Sequence, residues 1–148
     1  MSFQEKRNIV SLISTLLIFG SYCLYNLQKF PNGNTSLEDT ISFWGSFILI
    51  LLPVTIVAKI IISIAFSIIH KIATNEKEPS FSDELDKLIE LKSHRNSYFM
   101  FGLGFVLAMG SLVIDKPINV MFLILLISGF TAEVTGYISQ LMYYRRGV

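Results

Sequence analysis

Residues 50–67 read ILLPVTIVAKIIISIAFS, an apolar run that contains a single charged residue, Lys59. A helix needs about 20 consecutive, mostly apolar residues to cross the hydrocarbon core of a bilayer. Apolar runs of about this length or longer recur along the chain, at about residues 8–27, 41–69, 98–114 and 118–143. Only 16% of the residues are charged, whereas soluble domains carry about a quarter. We therefore predict an all-α integral membrane protein, a four-helix bundle in which residues 1–148 form one membrane domain.

The basic residues between the apolar runs are unevenly distributed, and this distribution predicts the orientation of the chain. Lysine and arginine in short loops stay on the cytoplasmic side of a membrane. Apart from Lys59, nine basic residues fall before span one, between spans two and three, or after span four: Lys6, Arg7, Lys71, Lys77, Lys87, Lys92, Arg95, Arg145 and Arg146. The other two loops hold only Lys29 and Lys116. We therefore predict a multi-pass protein of the cell's inner (cytoplasmic) membrane, with both termini and the central loop in the cytoplasm.

Two ionisable side chains, Lys59 in span two and Glu133 in span four, lie well inside apolar runs. Lys59 precedes His70, and Glu133 precedes Tyr144, by the same eleven positions near the cytoplasmic ends of the two spans. At a rise of ~1.5 Å per residue, both charges would lie ~16 Å from that end. Because spans two and four are predicted to run in the same direction, we predict an intramembrane ion pair. Small and polar residues at helical spacing are predicted to support the pair: Ser63, Ser67, Gly129, Ala132, Gly136 and Gln140.

The predicted pair has three interpretations. A Lys–Glu pair can fix the register of two helices, because a charge without its partner is costly inside a membrane. Lysine can instead extend its ammonium group to the interface without any partner. The third interpretation is a functional relay for protons or ions. Pro53 interrupts the hydrogen bonding of span two before Lys59, because proline has no N–H to donate. Such interruptions occur in transporters and in inert helices alike, and we favour the register interpretation.

The most informative polar segment precedes span three, at about residues 82–95. Ser82 is a suitable N-cap, and the carboxylates that follow it complement the helix dipole. Apolar residues then recur at helical spacing, which is typical of an amphipathic helix. We predict a cytoplasmic amphipathic helix that lies at the inner membrane surface and leads into span three. Its predicted contact residues are Asp83, Glu84, Leu85, Leu88, Ile89, Lys92 and Arg95.

The same segment contains a weak candidate for a metal site. Asp86, Glu90 and His94 lie at positions i, i+4 and i+8, and metal sites on helices use such pairs of ligands. A solvated helix face produces the same pattern, so we predict no metal site. Neither outer loop offers a glycine-rich phosphate loop, a paired-cysteine site or a nucleophile with its base. We therefore predict no catalytic residues and no cofactor, which favours a protein that is not an enzyme.

The stretch SDELDKLIELKSHRNSYFMFGLGF, residues 82–105, resembles a segment of a family of small, predicted membrane proteins from bacteria and archaea. Members of this family have several spans, no known function, and a cytoplasmic Asp-Glu-x-x-x-x-Ile-x-x-Lys-x-x-Arg segment before the third span. The matching residues are Asp83, Glu84, Ile89, Lys92 and Arg95. Leu85 departs from the arginine that usually follows the Asp-Glu pair. The resemblance implies a four-span layout and no known reaction. Some members are encoded beside small helix-turn-helix regulators, which implies a regulatory or immunity-type role.

Two functions are compatible with these features. The first is a non-enzymatic membrane protein, regulatory or immunity-like, in which the cytoplasmic segment contacts another protein. The alternative is a small transporter or channel that uses Lys59 and Glu133 and assembles as a homo-oligomer, because four spans enclose little space. The small-residue faces Gly104-Ala108-Ser111 and Gly129-Ala132-Gly136 can pack copies together, or helices within one chain.

The expected partners follow from these two functions. They are the lipid bilayer, a cytoplasmic protein and further copies of the chain. The net charge is only +1, and proteins that bind nucleic acid usually carry a basic patch or a strongly basic overall charge. We therefore expect no direct binding of nucleic acid.

Overall fold

The computed structural model is all-helical and describes residues 3–30, 35–74 and 84–147. Its four long helices are α1 (Phe3–Tyr25), α2 (Leu37–Thr74), α3 (Glu84–Val113) and α4 (Ile118–Arg146). A short 3-10 helix, Leu27–Lys29, follows α1. Each of the four long helices is long and apolar enough to cross a membrane. The predictions of an all-α chain and of four helices able to span a membrane are therefore confirmed.

Contacts near the chain ends give the directions of α1, α2 and α4. Arg145, in the last turn of α4, lies beside Glu5, in the first turn of α1, with Nε and Oε1 3.5 Å apart. The ring of Phe3 packs edge-on against His70, near the end of α2, with centroids 4.7 Å apart. Helix α1 is thus antiparallel to both α2 and α4, and α2 and α4 run in the same direction. We call the end of the bundle that holds these contacts the terminal end.

Helices α3 and α4 form a hairpin that is closed by a tight turn. Asp115 adopts the left-handed conformation, with φ 62°, and the N–H of Lys116 donates to the Ser111 carbonyl at 3.0 Å. This pattern of hydrogen bonds ends a helix when the chain must reverse direction. Pro117 then precedes α4, where its missing N–H costs no hydrogen bond. The first turns of α3 therefore lie at the terminal end, beside the last turns of α4.

Small residues let α3 and α4 approach closely along their length. A Cβ atom placed on Gly104 would collide with the Ser128 side chain and lie 3.4 Å from the Ser128 Cα. A Cβ on Gly136 would lie 2.6 Å from Ser97 Oγ. Membrane helices commonly associate through small residues that let their backbones come together. We call this contact the α3–α4 seam; its other buried residues are Ser93, Ala108, Ser111, Ala132 and Ser139.

The face Gly104-Ala108-Ser111 is therefore used within the chain. All three of its residues are buried in α3. Helix α3 makes no close backbone approach to α2 in the described part of the chain. Helix α4 contacts the other three long helices and so forms the centre of the bundle.

An aromatic cluster joins α1, α2 and α4 at the end opposite the terminal end. Trp44 and Phe47 are buried there, and the Trp44 ring stacks on Phe122 of α4 with centroids 5.8 Å apart. Trp44 Nε1 donates to Asn119 Oδ1 at 2.7 Å, and the Tyr22 hydroxyl donates to the Phe47 carbonyl at 3.0 Å. The indole N–H is therefore satisfied inside the cluster. The cluster holds the start of α2 against its neighbours.

The helices extend beyond the apolar runs that predicted them. Helix α2 continues past both ends of the predicted span 41–69 and passes through Pro53 as one helix. Helix α3 joins the predicted amphipathic segment, 82–95, to the predicted span, 98–114, without a break. Ser82 and Asp83 lie outside the described residues. Hydropathy shows where a helix becomes polar, whereas a helix ends where its backbone hydrogen bonding ends. Because no proline interrupts α3, its hydrogen bonding continues from the polar segment into the apolar one.

Candidate functional site

Lys59 and Glu133 meet because α2 and α4 run in the same direction. Each residue lies about four turns before the terminal end of its helix, so the two side chains reach a similar depth. Lys59 Nζ lies against Glu133 Oε1. The lysine side chain is 25% exposed and the glutamate side chain 35% exposed. The structure therefore brings together an ammonium group and a carboxylate between two apolar helices.

Tyr137 completes the site, and the sequence analysis did not identify it. Lys59 Nζ donates a hydrogen bond to the Tyr137 hydroxyl at 3.3 Å and lies 5.3 Å from the centre of its ring. Tyr137 follows Glu133 by four positions, and residues four apart share a helix face. That spacing could have identified it. Lysine thus has two neighbouring partners on α4, the carboxylate and the phenol.

The residues predicted to support the pair are divided among different surroundings. Gly129 lines a cavity beside Glu133, and Ser63 lines a second cavity beside Tyr137. Gly136 instead faces Ser97 of α3 in the α3–α4 seam. Of the remaining three, one is buried and two are half-buried: Ala132, Ser67 and Gln140. The small residues before and after Glu133 therefore serve two different surfaces of α4.

The larger cavity lies between α1, α2 and α4, with Phe101 of α3 in its wall, and measures about 610 Å³. Its walls are mostly aliphatic and aromatic side chains, among them Phe19, Phe101 and Phe130. Lys59 and Glu133 supply its charged groups. Helix α2 approaches α4 closely at few places, and the cavity occupies the gap between the aromatic cluster and the Lys59–Glu133 pair.

The smaller cavity, about 250 Å³, lies on the other side of Lys59, towards the terminal end. Its lining is more polar and includes Arg7, Ser14, Ser63 and Tyr137. Lys59 lines both cavities, whereas Glu133 lines only the larger one and Tyr137 only the smaller one. The lysine ammonium group therefore sits at the boundary between an apolar space and a polar one.

The first turns of α3 place the predicted contact segment at the terminal end. Ile89 is buried, Lys92 is half-buried, and Leu85, Leu88 and Arg95 are exposed together with Glu84. Asp83 lies outside the described residues. Polar bonds fix this part of α3 on α4, because Asn96 Nδ2 donates to both Ser139 Oγ and the Tyr143 hydroxyl at 3.1 Å.

The three side chains of the weak metal candidate do not come together as a set of ligands. Asp86 Oδ1 accepts a hydrogen bond from the Tyr144 hydroxyl at 2.7 Å. His94 Nε2 lies 3.5 Å from Glu90 Oε1, on the exposed side of the helix. Among the residues that the structure describes, no three histidine, cysteine, aspartate or glutamate side chains cluster to hold a metal ion.

No family model, curated protein or solved structure matches this chain. The resemblance of residues 82–105 to small membrane proteins of unknown function therefore stays a prediction.

Proposed function

We propose that the protein is a multi-pass protein of the cytoplasmic membrane that acts by contacting another protein, without catalysis of its own. The observation that supports this function is a row of three exposed leucines on the first turns of α3: Leu85, Leu88 and Leu91. We call this row the leucine strip. A contact function agrees with the regulatory or immunity-like role that the resemblance implies.

The leucine strip lies beyond the part of α3 that a bilayer would cover. Helix α3 has 30 residues, which at ~1.5 Å per residue gives about 45 Å. The hydrocarbon core is about 30 Å thick and takes about 20 residues. Counting from Val113 towards the terminal end, about 20 residues reach Ser93, and all the charged residues of α3 come before Asn96. We therefore expect the three leucines to face water or a partner rather than lipid.

The chemistry around the strip indicates the partner that would fit. The side chains of Leu85, Leu88 and Leu91 are 52%, 42% and 68% exposed. Single exposed leucines are ordinary, but a contiguous apolar patch on a surface in water marks a contact site. Lys92 and Arg95 follow the strip on the same side of the helix. A partner with an apolar ridge flanked by carboxylates would complement this surface.

Aspartate at the strip should remove the contact. We expect Leu85→Asp combined with Leu88→Asp to reduce recovery of the partner from native membranes by about tenfold or more, because an apolar contact would bury two carboxylates without partners. A photo-crosslinking residue at position 88 should give an adduct that the same residue at position 90 does not.

Glu90→Lys is the control for the leucine variants. Glu90 is also exposed, but it lies two positions after Leu88 and so on nearly the opposite side of the helix, and this variant should keep the partner. An unchanged set of captured proteins in the double aspartate variant would contradict the contact function.

The proposed orientation places both chain ends in the cytoplasm, and the basic residues at the terminal end support it. Cysteine labelling in intact cells tests this orientation, after replacement of Cys23, the chain's single cysteine. We expect a membrane-impermeant maleimide to label Thr35→Cys from outside and to leave Gly147→Cys unlabelled until the cells are opened. Labelling of both positions from the same side would contradict the proposed topology.

A further inference from the structure

The larger cavity has a chemistry that a contact at the leucine strip does not use. Its volume of about 610 Å³ lies in the range of ~300–1,000 Å³ that is typical of sites for small molecules. Such sites combine apolar walls with a few placed polar groups. Here the polar groups are a carboxylate and an ammonium group at the end of the cavity nearest the terminal end.

We propose that the larger cavity binds a lipophilic organic cation, whose charge is neutralised by Glu133 after it displaces the ammonium group of Lys59. The site goes beyond the contact function and does not depend on the leucine strip. It would also serve the transporter alternative, although binding does not require transport.

The division of the polar groups between the two cavities favours a cation over an anion. Glu133 is the charged side chain that lines the larger cavity alone, whereas Lys59 also reaches the smaller one. When a cation takes the carboxylate, Lys59 keeps a hydrogen bond to the Tyr137 hydroxyl, at 3.3 Å. The hydroxyl groups of Ser14 and Ser63 line the same smaller cavity. The displaced ammonium group therefore keeps hydroxyl oxygens as hydrogen-bond acceptors, although the other charged residue that lines the smaller cavity, Arg7, carries a like charge.

The walls of the larger cavity also suit an organic cation. The rings of Phe19 and Phe130 stack with centroids 4.2 Å apart, and both line the cavity together with Phe101. Aromatic rings attract a cation that lies over their faces, and this attraction increases when water is excluded. An inorganic cation would leave the aliphatic walls without contacts, so the ligand must carry apolar groups.

The ligand would reach the cavity from the side. Leu52 and Ile56 line the cavity on the α2 side, yet their side chains are 56% and 58% exposed. The cavity is therefore open between helices and not sealed. In a bilayer this opening faces hydrocarbon, which a cation can cross only when its charge is shielded by apolar groups.

Tetraphenylphosphonium and tetraphenylborate test the sign of the ligand charge, because the two ions share one shape and carry opposite charges. Binding to the purified full-length protein in detergent is measured by calorimetry. We expect Glu133→Gln to weaken tetraphenylphosphonium binding by about tenfold or more, the usual effect of losing a charged partner. Tetraphenylborate binding should not weaken in this variant. Unchanged tetraphenylphosphonium binding in Glu133→Gln would overturn the proposal. So would tetraphenylborate binding that depends on Lys59 when tetraphenylphosphonium binding does not.

A cavity-filling variant keeps the test decisive if Glu133→Gln does not fold. A Cβ atom on Gly129 meets nothing within 4 Å, and Gly129 lines the larger cavity. Gly129→Leu should therefore fold and abolish tetraphenylphosphonium binding. Gly110 is equally open but is not among the lining residues, so Gly110→Leu should bind the cation as the wild type does. Equal binding by the two leucine variants would place the cation elsewhere and refute the site.

Removal of Lys59 tests the displacement step. Because Lys59→Leu removes the internal competitor, this variant should bind tetraphenylphosphonium more tightly than the wild type, and the cation should raise its unfolding temperature more. Weaker binding in this variant would contradict displacement. Leu88→Asp should keep cation binding, and Glu133→Gln should keep the partner crosslink. These two variants separate failure of the cation site from failure of the contact function.

Discussion

Gly104→Ala is expected to destabilise the helix bundle, because the added methyl group has no room in the α3–α4 seam. Its Cβ would collide with both the Oγ and the Cβ of Ser128, and the position of the Ser128 Cβ is fixed by the backbone, so it cannot rotate away. The two helices must therefore separate. Overpacking of this kind costs about 1–3 kcal/mol. A thermal unfolding curve in detergent should show a clearly lowered midpoint for Gly104→Ala, and Gly104→Val should lower it further.

Other glycines provide matched controls for the Gly104 variant. Gly102 and Gly110 lie in the same helix, and a Cβ on either meets nothing within 4 Å, so Gly102→Ala and Gly110→Ala should leave the midpoint unchanged. At Gly136 the nearest atom is the hydroxyl of Ser97, at 2.6 Å, and a rotated hydroxyl makes room at little cost. Gly136→Ala should therefore have a smaller effect than Gly104→Ala.

A compensating change tests the contact itself. Ser128→Gly removes the side chain that the new methyl group would strike, so it should restore most of the stability lost in Gly104→Ala. A double variant no more stable than Gly104→Ala alone would show that the seam is not what makes Gly104 necessary.

The seam also shows what the sequence could predict and what it could not. The spacing of Gly104, Ala108 and Ser111 marks a face of α3 that another helix can approach closely. Nothing in that spacing specifies α4 rather than α1, α2 or a second copy of the chain. The partner is decided by shapes on both helices at once, here by Ser128 opposite Gly104. Hydropathy gives little help, because most faces of these helices are apolar.

Only part of the candidate site could be predicted from the sequence. Charges are rare in apolar runs, so Lys59 and Glu133 are conspicuous, and counting residues to the helix ends gives both the same depth. Tyr137 is less conspicuous because tyrosine is common near membrane interfaces. The two cavities depend on how far α2 stands from α4, and no local pattern encodes that separation.

Breaking the Lys59–Glu133 pair is expected to have an effect at least as large as that of the seam variants. A charge without a partner near the centre of a membrane helix costs as much as ~2.5–3.5 kcal/mol, so Lys59→Leu and Glu133→Leu should each lower the unfolding midpoint in detergent. Lys59→Leu should cost more, because in Glu133→Leu the lysine keeps its hydrogen bond to Tyr137. The double variant leaves no unpaired charge, and replacing a whole ion pair with apolar groups can be neutral. We therefore expect the double variant to recover most of the lost stability.

The pair of Arg145 and Glu5 at the terminal end is the control for this double-mutant cycle. Its Nε and Oε1 atoms are 3.5 Å apart, and although Glu5 is only 14% exposed, the arginine is 57% exposed, so water screens the pair from one side. Exposed pairs typically couple by only about 0.2–1 kcal/mol. Coupling between Lys59 and Glu133 should clearly exceed that value. Additive losses at the two positions would show that the residues are not energetic partners, whatever their distance. If the double variant is stable and still contacts the cytoplasmic partner, the pair serves helix register for that function. Loss of the contact in a stable double variant would instead mean that the charges themselves are required.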